Sequence, residues 1–287
     1  MMIGQLLMAF IEYSLFRAKL VKSSQQTLFY ADLTVPQLFM QALGEKPSAE
    51  LRKGHHWHIG NIRLFSEYKG YFAIGRTTNA TIEKFDERSG NFREEELNTG
   101  PYTHCVFNAQ LGIIGIARKT SLAPTVKGIA DRVQQVLSRA SVIRESYTTV
   151  EIAPIPDPES FLLALESAYR VSRFAATFHG RNPFDSDEYF QKPLSAYLSA
   201  ANGKSGKAQI QGEDLKRDVL QSVTRSTAAT GNEASATITR GESQKSITIH
   251  LKGDAVKRSY NADEYQPEAV LEDLEKLYYQ IRKNETV

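Results

Sequence analysis

Residues 102–140 read YTHCVFNAQLGIIGIARKTSLAPTVKGIADRVQQVLSRA, and this stretch decides the fold class. Tyr102 to Phe107 is a short run of aromatic and branched residues. Asn108-Ala109-Gln110 supplies a turn, and Leu111 to Arg118 returns as a second apolar run, so the pair reads as a β-hairpin. The period then changes. After Pro124, the residues Val126, Ile129, Ala130, Val133, Val136, Leu137 and Ala140 recur at i, i+3, i+4, i+7. Lys127, Asp131, Gln134, Gln135 and Arg139 fall on the opposite side. A helix with one apolar stripe must bury it, and the preceding sheet is the nearest apolar surface. The expected class is α+β: an antiparallel sheet with covering helices, followed by a second, smaller α+β unit.

Upstream, His56 to Phe65 and Tyr71 to Thr77 flank the turn Tyr68-Lys69-Gly70, and Thr81 to Phe85 continues the meander to a turn over Asp86 to Asn91. Ile59 to Thr120 therefore reads as one antiparallel sheet. Phe10 to Val21 reads as an earlier strand and Gln25 to Leu33 as another. Thr34 is the expected N-cap of a helix carrying Val35, Pro36, Leu38, Phe39 and Leu43, which Gly44 ends.

Downstream, residues 1–146 are expected to form the first domain and residues 147–262 a second one that dimerises. Val150-Glu151-Ile152 is a strand ended by Pro154 and Pro156. Pro158 opens a helix through Phe161, Leu162, Leu165, Ala168, Tyr169 and Phe174, which Arg181 to Asp185 breaks. Ser199 to Gly212 is rich in Gly, Ser, Lys and Ala and reads as a flexible loop. Leu215, Val219 and Val223 mark a helix. Ala234 to Arg240 and Ser246 to Leu251 form an edge hairpin around Gly241-Glu242-Ser243, a surface for a second copy. From Pro267, the stripe Val270, Leu271, Leu274, Leu277, Tyr278 and Ile281 makes a helix, 267–283, expected to pack back on the first domain.

The bulk numbers narrow the function. The chain has 287 residues, 41% hydrophobic and 24% charged, which suits a chain that buries a core. The net charge of +2 announces no polyanion partner by itself, although a basic face is compatible with it. The single cysteine, Cys105, excludes an intrachain disulfide and a Cys-rich zinc site. Its strand context predicts a buried thiol, with His104 on the opposite face. Met1 to Phe16 lacks a basic leader and carries Glu12, and no run of about 20 apolar residues occurs. A cytoplasmic protein without membrane insertion is expected.

Motifs for chemistry are sparse. Gly203-Lys204-Ser205 lacks the earlier glycine of a phosphate-binding loop, since Leu198 stands there. His56 and His58 share a strand face without further ligands at useful spacing. Asp185, Asp187 and Glu188 read as a polar turn. No nucleophile elbow, zincin, dinucleotide or kinase signature occurs. No catalytic residue, metal or cofactor is assigned, and binding is expected rather than catalysis.

The basic residues point to a polyanion. Two similar strand ends, Ala73-Ile74-Gly75-Arg76-Thr77 and Gly115-Ile116-Ala117-Arg118-Lys119-Thr120, place Arg76, Arg118 and Lys119 on one rim if those strands are neighbours. Arg170 and Arg173, three apart, share a face if they are helical. Lys204 and Lys207 fall in the expected loop, and Lys216 and Arg217 open the next helix. Lys257 and Arg258 follow the last hairpin. Such groups neutralise phosphates without reading bases.

Three phrases resemble the RexA family, the intracellular component of the two-component Rex phage-exclusion system. The first is Leu38 to Leu64, centred on Gly54-His55-His56-Trp57-His58-Ile59-Gly60. The second is Gly112-Ile113-Ile114-Gly115-Ile116-Ala117-Arg118, leading into the helix after Pro124 and Thr125. The third is Val150-Glu151-Ile152-Ala153-Pro154. The resemblance implies a homodimeric, sequence-tolerant sensor of double-stranded DNA in anti-phage defence (abortive infection), acting with a RexB-like membrane partner. It brings no catalytic residues. Two other readings stand beside it: a nuclease or other enzymatic subunit of a defence system, and a protein-binding inhibitor or scaffold.

Overall fold

Strand β1 (Phe10–Lys22) organises the molecule, because every residue from Tyr13 to Leu20 is buried. A strand buried on both sides needs a layer on each face, and that is the architecture of this computed structural model, which describes residues 10–22, 33–179, 190–201, 203–262 and 265–283. Helix α1 (Val35–Gly44) is followed by β2 (Ser48–Arg52), β3 (His55–Ser66), β4 (Lys69–Asp86), β5 (Asn91–Thr99), β6 (Tyr102–Asn108) and β7 (Ile113–Ala117). Helices α2 (Val126–Leu137) and α3 (Ser141–Glu145) precede β8 (Thr148–Pro154), α4 (Glu159–Glu166) and β9 (Arg170–His179). Then come α5 (Gln191–Ala200), β10 (Ser205–Gln211), α6 (Arg217–Ala229), β11 (Ala234–Thr239), β12 (Ile247–Leu251), β13 (Lys257–Asn261) and α7 (Pro267–Lys283).

The fold is mixed α+β, built on antiparallel sheets. The large sheet runs β13-β1-β7-β6-β4-β3-β2. One edge of β1 holds β7, and its other edge is shared: Phe10 to Ser14 pair with β13 and Phe16 to Lys22 with β8. The small sheet runs β10-β9-β11-β12. Helices α1, α2 and α3 cover one face of the large sheet around Phe39, Phe107, Ile129 and Val133. The other face, with Tyr13, Leu15 and Val106, shares its core with α4, α6, α7 and the inner face of the small sheet.

Local sequence explains the well-formed elements. Thr34 caps α1 with a reciprocal bond to Gln37, as its position predicts. Thr125 caps α2 by accepting from the Gly128 amide at 3.1 Å. Helix α7 packs against the large sheet: a Cβ at Gly115 would meet Leu274 Cδ1 at 2.3 Å, so only glycine lets the helix approach there. Glu275 ties the helix down, accepting from Lys69 at 2.8 Å and Asn108 at 2.7 Å.

Several expectations are corrected. The helix from Pro158 stops at Glu166, and Arg170 to His179 is a strand, so Arg170 and Arg173 are not helical. Ser199 to Gly212 is not a loop: it contains the end of α5 and strand β10, so Lys207 is a strand residue and Lys204 sits just before it. Thr81 to Phe85 is not a separate strand but the outer half of β4, and β5 returns beside it. Residues 148–154 and 257–261, assigned by the sequence to the second unit, pair with β1 in the large sheet. Met1 to Ala9, the expected strand over Gln25 to Leu33 apart from Leu33, the break over Arg181 to Asp185, and Asp185, Asp187 and Glu188 lie outside the described residues.

Candidate nucleic-acid interface

Strands β9, β10, β11 and β12 contain no aspartate or glutamate. Their inner face is apolar, with Val171, Phe174, Ala176 and Phe178 of β9 buried. Ser172 is an extra residue in the pairing with β11: Thr237 opposes Arg173 and Ile238 opposes Val171, so the register shifts there. This β-bulge puts Val171 and Phe174, three apart, on the same face. It does the same for Arg170 and Arg173, which are exposed on the opposite, open face. The shared face expected from helical spacing thus arises from a bulge.

The register places the neighbours. Gln211 opposes Arg173 and Lys207 opposes Thr177 on β10, and Thr237 opposes Arg173 on β11 and Thr248 on β12. Arg173, Gln211, Thr237 and Thr248, with Ser172 and Glu213, line an open hollow of about 660 Å³. The cations of the face lie among hydroxyl and amide groups, which donate to phosphate and sugar oxygens. At its end, Asp214 accepts from the Val171 amide at 2.9 Å and pairs with Arg217 at 3.2 Å. The Val171 amide, with Arg217 and Arg170 nearby, outweighs partial desolvation and holds the Asp214 carboxyl below its usual range. Arg217 also donates to the carbonyls of Ala168 at 2.9 Å and Tyr169 at 3.1 Å, so it pins α6 to the start of β9. Lys216, at the N-cap of α6, is exposed.

The remaining predicted cations form a separate rim. Strands β4 and β7 are not neighbours, because β6 lies between them. Arg76 nevertheless reaches the carbonyl of Ser121 at 3.2 Å, three residues past Arg118. Lys119 is exposed beside them. Arg118 and Lys257 converge on Glu12, at 3.8 and 3.0 Å, and Arg258 stands 4.0 Å from Asp273. Carboxylates therefore neutralise most of the rim. The open sheet face differs: no ion pair involves Arg173 or Lys207 among the described residues.

A third cluster lies at the seam between the sheets. The Asn232 amide oxygen accepts from Lys19 Nζ at 2.8 Å and from His179 Nδ1 at 2.6 Å. An amide oxygen only accepts, so in this arrangement His179 carries its proton on Nδ1. Lys19 Nζ and His179 Nε2 each lie 3.8 Å from Glu151. Elsewhere, Cys105 is fully buried and its thiol is pushed up by burial, so it is no nucleophile. His104, on the other side of that strand, is held below its usual value by burial and by Lys119. His58 is bonded to Thr77 at 3.1 Å. Among the described residues no three His, Cys, Asp or Glu side chains cluster as metal ligands, and no helix is long and apolar enough to cross a membrane.

Arg170, Arg173 and Lys207 are visible in the sequence as cations, whereas Gln211, Thr237 and Thr248 join them only through the register of the strands. The signal available was the absence of acids from four consecutive alternating strands, one of which read as a helix and one as a loop. No protein-family model matches the chain, and a search of curated proteins finds no match.

Proposed function

We propose that this chain binds double-stranded DNA without sequence preference, through the open face of the β10-β9-β11-β12 sheet. The observation that carries the reading is an exposed sheet face whose four strands contain no acid and on which a bulge aligns Arg170 with Arg173, beside Lys207. Phosphate neutralisation needs cations that are not already spent on carboxylates, and Arg173 and Lys207 make no ion pair among the described residues. Together with the RexA-like phrases, it supports an intracellular, homodimeric sensor of phage DNA in abortive infection, working with a RexB-like membrane protein.

The test is fluorescence anisotropy with plain duplexes of several sequences over a salt series. Affinity is expected to fall steeply with salt and to vary little with sequence. Each lost phosphate contact lowers the log–log slope by about 0.9, so Arg170→Ala/Arg173→Ala is expected to lower it by about 1.8 and to weaken all duplexes alike. A double variant with the parental slope would exclude this face. The same assay with Mg²⁺ addresses the nuclease reading, which requires cleavage of the duplex.

A further inference from the structure

Beyond Thr78, β4 leaves the large sheet and pairs only with β5, forming a two-stranded ribbon. On one face of it Lys84 opposes Arg93, and this like-charge pair is relieved by Glu95, 3.7 Å from Lys84, and Asp86, 3.4 Å from Arg93. The other face has no such relief. Glu83 stands directly opposite Glu94, and Phe85 opposite Phe92, with ring centroids 5.1 Å apart. Phe92 is 79% exposed and Phe85 48%. No cation lies within ion-pair distance of Glu83 or Glu94 among the described residues. Opposed like charges beside an exposed aromatic pair are unfavourable on an isolated ribbon, and a cationic surface resolves both features. Carboxylates take the guanidinium fork, and aromatic faces attract the same cation.

We propose that this face of the ribbon docks, in a second copy of this chain, on the open face of the four-stranded sheet. The argument is charge complementarity within one sequence. Residues 81–95 carry five carboxylates against three cations, whereas the four strands of the small sheet carry Arg170, Arg173 and Lys207 and no acid. Glu83, Glu94, Phe92, Arg170, Arg173 and Lys207 are all exposed in the single copy. The lengths also match. A nine-residue strand such as β5 spans about 30 Å, and four strands are about 14 Å across, so one ribbon crosses the whole sheet. Each copy offers one ribbon and one sheet, so a two-fold axis closes a dimer with two identical contacts. The docking shares the Arg170–Arg173 face with the DNA reading, and duplex and ribbon therefore compete for it, but the contact itself stands without that reading.

Analytical ultracentrifugation of the full chain without DNA tests it. The parent is expected to be a salt-sensitive dimer at micromolar concentration. Glu83→Lys/Glu94→Lys gives a basic ribbon on a basic sheet, and Arg170→Glu/Arg173→Glu an acidic ribbon on an acidic sheet. Each is expected to weaken the dimer by about tenfold or more, with an unchanged thermal melt because all four sites are exposed. Mixed one to one, the two variants place opposite charges at both contacts, and dimer is expected to return. A monomeric parent, a ribbon variant that dimerises like the parent, or a mixture that stays monomeric each overturns the proposal. None of these results depends on DNA, so failure of the DNA reading shows up separately, in the anisotropy slopes.

Discussion

Arg17 is fully buried in the middle of β1 and makes no ion pair among the described residues. Its Nη1 donates to the Leu111 carbonyl and, at 3.0 Å, to the Tyr278 hydroxyl, and its guanidinium lies 5.8 Å from the Tyr278 ring centroid. Nε and Nη2 have no hydrogen-bond partner among the described residues. A buried cation held by one carbonyl, one hydroxyl and one ring is costly to desolvate, and its removal in favour of an apolar chain of similar length removes that cost. Arg17→Met is therefore expected to unfold in urea within about 1 kcal/mol of the parent. Arg17→Lys keeps the charge but withdraws it from Leu111 and Tyr278, and is expected to lose about 3 kcal/mol. The reverse order would show that the guanidinium contacts outweigh the desolvation. A second residue acts through a helix end. Helix α3 has no cap from Ala140, and Glu45 supplies one from afar, accepting from the amides of Ser141 and, at 2.9 Å, Val142. Burial would raise the Glu45 carboxyl, but those amides and Arg144 outweigh it and hold it below the ordinary 4.5. A carboxyl lowered by folding stabilises above its ordinary value and loses that contribution as pH falls through its folded one. Glu45→Gln is expected to lose about 1 kcal/mol at neutral pH and to flatten the acid dependence of the urea midpoint below pH 4.5. A variant whose midpoint tracks the parent from pH 7 into acid would show that Glu45 caps nothing.

The bulge at Ser172 governs its whole element. Deleting Ser172 removes the extra residue and restores strict alternation in β9, with Val171 still on the inner face beside Phe174 and Arg170 still on the open face beside Arg173. No side chain changes face, so the deletion is expected to cost about 1 kcal/mol or less, read from the urea midpoint. A loss of about 3 kcal/mol or more would mean that β9 cannot close the bulge without shifting its register against β11. The same bulge explains why this element was illegible. With Val171 and Phe174 on one face at a spacing of three, β9 imitates the period of a helix and prolongs the true helix that ends at Glu166. Strand β10 was hidden for another reason. Its inward positions are Gly206 and Ala208, and a Cβ at Gly206 would meet the Phe178 ring at 2.3 Å, so the small residues that read as a linker are a packing requirement. Strand β5 has almost no apolar residue to alternate, because both faces of the ribbon meet solvent. Helices α2 and α7 and the β11–β12 hairpin were legible because each buries one side only, and one-sided burial is what periodicity records. The candidate site inherits this split: its cations were visible singly, but their common face required β9 and β10 to be strands.

At the scale of the molecule, the sequence divides the chain near residue 147, whereas the core does not. Tyr13, Leu15 and Val106 of the large sheet pack in one cluster with Phe174 and Ala176 of the small sheet, Leu220 of α6, and Leu271, Leu274 and Tyr278 of α7. Strands β8 and β13, which flank the small sheet in sequence, both hydrogen-bond to β1. Lys19 of β1 also reaches Asn232, in the turn before β11, at 2.8 Å. Opening the seam between the sheets exposes apolar surface on both sides and breaks that bond, which leaves the small sheet without a closed core and the large sheet with one face bare. Unfolding is therefore expected to be one transition despite the chain's length. Trp57, the only tryptophan, makes this measurable, because it lies in the other core, between the large sheet and α2, near Arg132. Its fluorescence reports the side of the large sheet that faces away from the small one, whereas far-ultraviolet dichroism reports every element. The two midpoints are expected to coincide. Leu274→Ala, which empties a fully buried site in the shared core, is expected to cost about 2–5 kcal/mol and to move both midpoints together. If Leu274→Ala instead splits the curve, leaving the Trp57 signal at the parental midpoint while part of the dichroism melts early, the two sheets unfold independently and the boundary near residue 147 is a thermodynamic one.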